Sequence, residues 1–274
     1  MTKDLIPNDY ADWRFLLASS YLKKSKTIDL FLPPGFQKGS PLPLLVLHDG
    51  QDAKALKLKE QLHLLWKQGV ILPFLVVAVH ADQDRMHEYG VAGEKDFAGR
   101  GSRADRYMRC LLEEILPKVS RFFDIPGSHP QNTIAGMSLG GLSAFDIAWE
   151  QPHVFSQIGV FSGSFWWRRR DLNQGYTPYD RILIRKISQP ALAKPLRFWF
   201  EVGSNDETAD RNQSGMIDAI EDTLDVIQVL RYKGYRLHRD IRYLEIQGGR
   251  HDHATWAKAL PDFLHWAFGK PIGR

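Results

Sequence analysis

The chain of 274 residues is 43% hydrophobic, 25% charged and 12% aromatic, with a formal net charge of +4. That balance excludes a disordered, fibrous or collagen-like protein, and at this length folding buries roughly 75% of the extended surface without metal or disulfide staples. Acids and bases are interspersed along the chain, which argues against a nucleic-acid partner. No run approaches the roughly eighteen apolar residues of a membrane span, and Met1-Thr2-Lys3-Asp4 lacks the start of a secretory signal. The lone Cys110 leaves no internal disulfide; it is expected to pack in the core and suits a reducing, cytoplasmic compartment.

Strand-like apolar runs alternate with longer helix-like segments. Residues 27–32 read as a strand closed by Pro33-Pro34-Gly35. Residues 43–48 and 73–80 are compact Val- and Leu-rich runs, as expected of strands buried on both faces. Between them, 54–69 is an imperfect amphipathic helix carrying Leu56, Leu62, Leu64 and Leu65 and ending at Gly69. In 102–123, Tyr107, Leu111, Leu112, Ile115 and Val119 recur at helical spacing, and Pro117 predicts a kink. A strand at 131–136, a helix at 139–151 and a strand at 155–161 follow. The stretch 163–194 is too long for a turn and predicts a lid or cap. A strand at 196–202, a helix at 215–232, a strand at 241–246 and a helix at 254–268 complete the chain. The alternation predicts one α/β domain over 1–274, with a mostly parallel sheet covered by helices on both faces.

The sharpest signal is Gly136-Met137-Ser138-Leu139-Gly140-Gly141, where a predicted strand gives way to a predicted helix. A nucleophilic serine in G-x-S-x-G occupies a strained strand-to-helix turn that projects its hydroxyl, and small neighbours let the backbones pass. The new helix aims free N–H groups and the positive end of its dipole at the site. A serine hydroxyl is too weak an acid to attack unaided, so an imidazole must take its proton and a carboxylate must orient that imidazole. Both types follow in the order acid, then His, on segments after later strands: Gly203-Ser204-Asn205-Asp206-Glu207 and Gly248-Gly249-Arg250-His251-Asp252-His253. Ser138 is the expected nucleophile and His251 the expected base, with His253 second. Asp206 is the expected acid, with Glu207 next and Glu201, inside a strand, third. The backbone N–H groups of Leu139 and of Gln51, in His48-Asp49-Gly50-Gln51, are the expected oxyanion donors. His48 and Asp49 are expected to set that turn.

With Arg85-Met86-His87-Glu88-Tyr89, Glu114-Ile115-Leu116-Pro117, Ser162-Gly163-Ser164-Phe165-Trp166-Trp167 and Trp256, these motifs span the chain from about residue 22 onward. They resemble the esterase branch of the α/β-hydrolases, which includes enterochelin (siderophore) esterases, feruloyl esterases and mycolyltransferases. The resemblance implies an α/β-hydrolase fold and a triad of Ser138, Asp206 and His251, with Gln51 and Leu139 as oxyanion donors. It also implies a small-molecule ester substrate, siderophore or aryl, and no cofactor required for catalysis. The acid varies between Asp and Glu in this branch. Its larger siderophore esterases carry an extra N-terminal domain, whereas few residues precede the first strand predicted here. An acyltransferase using the same triad, and a calcium-stabilised binding protein of the same fold, are the competing expectations.

A second constellation runs from Asp210 to Glu221. Asp210, Asn212, Ser214, Asp218 and Glu221 supply side-chain oxygens at the spacing of a twelve-residue calcium loop, with Gly215 at the turn and the Met216 carbonyl between. One reading is a structural Ca2+ ordering the segment after Asp206; the other is a polar loop leading into a capped helix. Trp166 and Trp167 are expected to line an acyl or aromatic pocket or to brace the lid. Arg168-Arg169-Arg170 is expected to be solvated surface rather than an anion trap.

Overall fold

The computed structural model describes residues 5–37, 39–190 and 192–270; the opening Met1-Thr2-Lys3-Asp4 and Ala191 of the expected lid lie outside the described residues. In chain order the strands are β1 (Trp13–Ser19), β2 (Lys24–Phe31), β3 (Leu44–His48), β4 (Leu75–Val79), β5 (Thr133–Met137), β6 (Gln157–Phe161), β7 (Arg197–Gly203) and β8 (Ile241–Ile246). They form one eight-stranded sheet in the order β1-β2-β4-β3-β5-β6-β7-β8. β1 pairs antiparallel with β2 and β2 antiparallel with β4, while every pairing from β4 to β8 is parallel. The chain thus has the α/β-hydrolase layout that its motifs imply.

The helices are α1 (Leu58–Lys67), α2 (Arg85–Glu88), α3 (Ala104–Arg109), α4 (Leu116–Ser120), α5 (Leu139–Glu150), α6 (Ile182–Ser188), α7 (Asp218–Tyr232) and α8 (His253–Phe268). Every residue of β3, β4, β5 and β6 is buried, because helices cover both faces of the sheet. Alternate strand residues enter opposite cores. Val46, Ile134, Val160 and Phe200 join Phe145 of α5 on one side, while Leu47, Ala135, Phe161 and Trp199 join Phe263 of α8 on the other.

Several boundaries differ from expectation for identifiable reasons. β1 has no counterpart among the predicted elements: it is an edge strand, and Leu16 is 65% exposed, so no clean alternation marks it. β2 begins at Lys24, where two lysines disguise a strand; Lys26 is fully buried against Glu88 at 2.9 Å, and Lys24 pairs with the same carboxylate. Pro117 cannot donate an N–H and crowds the preceding turn. Its place is made by a π-helical stretch, Cys110–Ile115, which joins α3 to α4 as a widened turn. The buried Cys110 lies within that stretch, as expected of a packing residue. α7 starts at Asp218 because Gly215 holds φ +83 in the preceding turn. The stretch between β6 and β7 is anchored more deeply than a loose cap: Phe165, Trp167, Ile182, Leu183 and Ile187 are all core residues.

Candidate active site

Because β3, β5, β7 and β8 run parallel, the segments that leave their carboxyl ends meet at one edge of the sheet. Gln51, Ser138, Asp206 and His251 all lie on those segments. Ser138 sits at φ 54, ψ −122, between β5 and α5, and its N–H donates to the Phe161 carbonyl at 2.8 Å. A non-glycine residue pays for such a backbone, and the surroundings must enforce it. A Cβ on Gly136 would lie 2.5 Å from the Gly140 carbonyl, and one on Gly140 would lie 2.7 Å from Asp49 Oδ2. The G-x-S-x-G spacing is therefore a packing requirement of the turn.

The Leu139 N–H opens α5 and the Gln51 N–H lies in the 3-10 turn Gly50–Asp52; neither donates to an acceptor among the described residues. The Gln51 side chain is pinned, its Oε1 accepting from Ala81 N–H at 2.8 Å. Asp49 accepts two hydrogen bonds from Arg85, from Nε at 2.7 Å and Nη2 at 2.8 Å. His48 is wholly buried, stacked on Tyr89, with Nδ1 2.8 Å from the Gly140 carbonyl. Burial pushes its pKa down to about 4, and a carbonyl only accepts, so the neutral imidazole donates from Nδ1. His48 and Asp49 thus set the turn. Arg85, whose motif was legible without a role, is the group that holds Asp49.

The two candidate histidines separate in space. His251 Nδ1 lies 3.1 Å from Asp206 Oδ2, while His253 Nε2 faces Asp52 at 3.4 Å. Asp206 is buried, and its Oδ1 accepts from Ser162 Oγ at 3.1 Å. Glu207 points toward the start of α7, where burial and then the charge of Asp218 raise its pKa. Glu201 lies buried within β7, and neither carboxylate oxygen has a hydrogen-bond partner among the described residues. Burial, reinforced by the charge on Asp206, pushes it up to about 8. The hydrogen bond of Ser138 Oγ is with Ser164 Oγ at 3.3 Å; none among the described residues joins it to His251. Ser162 and Ser164 belonged to a recognised motif, but only the pairing of β5 with β6 shows that their turn lies beside the elbow.

The wall beyond Ser164 corrects two expectations. Trp167 is fully buried, with its ring against Gly90 and Gly101, so it braces the structure. Trp166 is half-buried and stacks under Arg100, whose guanidinium lies 5.0 Å from its ring centre. Arg169 and Arg170 sit half-exposed near Asp180, as expected of surface residues. Arg168 does not: its side chain is 15% exposed, packed over Phe97 at 4.9 Å and beside Trp166 and Tyr176, with Nε unpartnered among the described residues. A surface hollow of about 650 Å3 beyond α7, lined by Gln228, Arg231, Tyr232 and Tyr235, contains none of these groups.

The family described as "Putative esterase" matches residues 19–267. The chain belongs to this esterase family. With it the chain takes its place among the carboxylic-ester hydrolases. It is 26% identical over 260 residues to the uncharacterized protein YbbA of Bacillus subtilis, covering 92% of this chain and 96% of that one. It is 25% identical over 247 residues to the iron(III) enterobactin esterase of Escherichia coli K12, covering 88% of this chain but 53% of the other. This esterase therefore spans about half the length of that relative. The crystal structure of the enterobactin esterase FES from Shigella flexneri in the presence of enterobactin superposes with a TM-score of 0.73 at 22% identity. That match covers 93% of this chain and 57% of the other, and it shows a shared fold. No helix among the described residues is long and apolar enough to cross a membrane.

Of the predicted calcium ligands of the esterase, Asp210, Asn212, Ser214, Met216, Asp218 and Glu221, the three carboxylates do not gather into an ion-holding cluster among the described residues. Asp210 accepts from the N–H groups of Ser214 and Gly215 at 3.0 and 2.8 Å, and Ser214 Oγ accepts from Met216 N–H at 3.2 Å. Asn212 Nδ2 donates to Glu221 at 2.7 Å. The positive charge comes instead from Arg211, paired with Asp218 at 3.2 Å and with the buried Asp222. The loop is bonded to itself, and α7 opens at Asp218 with no side-chain cap at Ile217. Adding Ca2+ or a chelator is expected to leave Tm unchanged to within about 1 °C. Arg211→Ala, which leaves Asp222 to Arg181 alone, is expected to cost about 2–3 kcal/mol, a Tm drop of roughly 4–8 °C in a thermal scan.

Proposed function

We propose that this esterase cleaves carboxylic esters through an acyl-enzyme. Ser138 attacks the carbonyl carbon, and His251 takes the serine proton and returns it to the leaving alcohol. Asp206 holds the imidazole through Nδ1 and stabilises its charged form. The unpartnered N–H groups of Gln51 and Leu139 receive the oxyanion, and water repeats the sequence on the acyl-enzyme. The observation that carries this reading is the 3.1 Å contact of His251 with Asp206 beside a serine in strained backbone at the same sheet edge. No step needs a cofactor, and the single buried cysteine suits a cytoplasmic setting.

The substrate class we propose is an aryl or siderophore-type ester with an anionic acyl part. Arg168, flanked by Phe97, Trp166 and Tyr176 and paired only at 3.8 Å with Asp171, supports it, because a guanidinium between aromatic faces suits a flat anion. The names of the enterobactin esterase relatives point the same way. The test is stoichiometric labelling by a fluorophosphonate probe, followed by peptide mapping. The adduct is expected on Ser138 and lost in Ser138→Ala; folded protein that stays unlabelled overturns the reading. Product analysis with added alcohols then separates hydrolysis from acyl transfer.

A further inference from the structure

The turn after β6 and the first turn of α8 carry groups that the acid–base assignment leaves unused. Trp256 Nε1 donates to Ser162 Oγ at 3.0 Å, and Ser162 Oγ lies 3.1 Å from Asp206 Oδ1. All three residues are buried. The direction of this chain is determined by its end members, since an indole N–H only donates and a carboxylate only accepts. The one proton of the Ser162 hydroxyl is therefore committed to Asp206, and the indole polarises that donor. The Trp256 ring also meets the His251 imidazole edge-to-face, centres 5.2 Å apart. One side chain thus touches the acid through a hydroxyl and the base through its ring.

The anchoring of both ends is tight. Ser162 is held at φ 46 with its N–H on the Glu201 carbonyl at 2.7 Å. The first turn of α8 is capped by Asp252, which accepts from Thr255 N–H at 2.8 Å. Asp206, in contrast, lies on a connecting segment beyond β7, where a carboxylate with a single partner would turn about its own axis.

Resting on the function proposed above, we propose that Trp256 and Ser162 are positioning residues. They form a two-member relay that fixes Asp206 by Oδ1 so that Oδ2 meets His251. Holding the carboxylate at both oxygens fixes the imidazole plane and draws charge away from the oxygen that His251 sees.

The test compares Ser162→Ala, Trp256→Phe and the double variant, with folding checked by circular dichroism. Phenylalanine keeps an aromatic ring at 256 while deleting the N–H. Each single change is expected to lower kcat about tenfold with KM within about twofold, and the double variant is expected to lie within about threefold of the worse single one. Loss of the Ser162 donor leaves fuller charge on Asp206, so the acidic limb of the kcat/KM profile is expected to move up by about half a pH unit. Losses that multiply in the double variant, an unmoved acidic limb, or single variants with the parent rate each overturn the relay. Failure of the underlying function is distinguishable, because it would appear as absent labelling and hydrolysis in the unaltered protein.

Discussion

His251→Ala is expected to lower kcat/KM for an ester substrate by at least about 10^3-fold, whereas His253→Ala is expected to stay within about threefold of the parent. The two residues are separated by one position and lie on the same turn into α8. By type and spacing either could serve as a base. Both rings meet Trp256 edge-to-face, but their carboxylates differ: His251 donates from Nδ1 toward a buried carboxylate that accepts from nothing else on Oδ2 among the described residues, and His253 meets the partly exposed Asp52. A base must be held in one tautomer with its second nitrogen free for the serine, and an exposed pair supplies little such constraint. His251 itself is 41% exposed, so its removal opens no core and the loss should appear in turnover rather than in Tm. Parallel measurement of kcat/KM and Tm for the two variants checks this; equal losses in both would remove the distinction, and a larger loss in His253→Ala would reverse the assignment.

The second large effect concerns stability as a function of pH. Glu201 is buried without a partner among the described residues, and its pKa is raised from 4.5 to about 8. A carboxyl whose folded pKa exceeds its unfolded value binds its proton more tightly when folded. Its contribution is present in full below the unfolded value, declines as pH rises from about 4.5, and is gone above about 8. At about 1.4 kcal/mol per pH unit the span is on the order of 5 kcal/mol. Glu201→Gln abolishes that titration while keeping the side-chain shape. Relative to the parent, the variant is expected to gain about 4 kcal/mol between pH 5 and pH 9. The amide is itself unpartnered at this position, so the change in the difference, not its value at one pH, carries the prediction. Urea midpoints for both proteins across that range measure it; a constant difference would show that Glu201 titrates normally.

Much of the candidate site is legible in the sequence because it depends on near neighbours along the chain. The glycines around Ser138 answer a steric demand inside one turn, where a Cβ on Gly136 would strike backbone only four residues on. The buried parallel strands announce themselves as short apolar runs, since both of their faces need the same kind of residue. Strand order then brings the ends of β3, β5, β7 and β8 together, so candidate groups that follow one another in the chain also meet in space.

Other features depend on partners far along the chain. Lys26 reads as a solvated residue until Glu88, 62 positions on, is seen to neutralise it inside the core. For Arg168 the distant partner is Phe97, which packs over a guanidinium that Trp166 and Tyr176 flank from its own segment. In the calcium-like loop the oxygen spacing is correct, yet the residue between the first two oxygens is an arginine. Its reach to the buried Asp222, eleven positions on, settles the charge balance. Ser162 and Trp256 lie 94 residues apart, and only the packing of α8 against the sheet puts the indole on the hydroxyl. Local backbone sterics and the pattern of burial are enough to specify the fold, the elbow and the order of the candidate groups, and both are written in the residues themselves. Which histidine meets the acid, which arginine is enclosed and what supports Asp206 are contacts between side chains distant along the chain. Spacing does not encode such contacts, and they exist only once the helices have packed on the sheet.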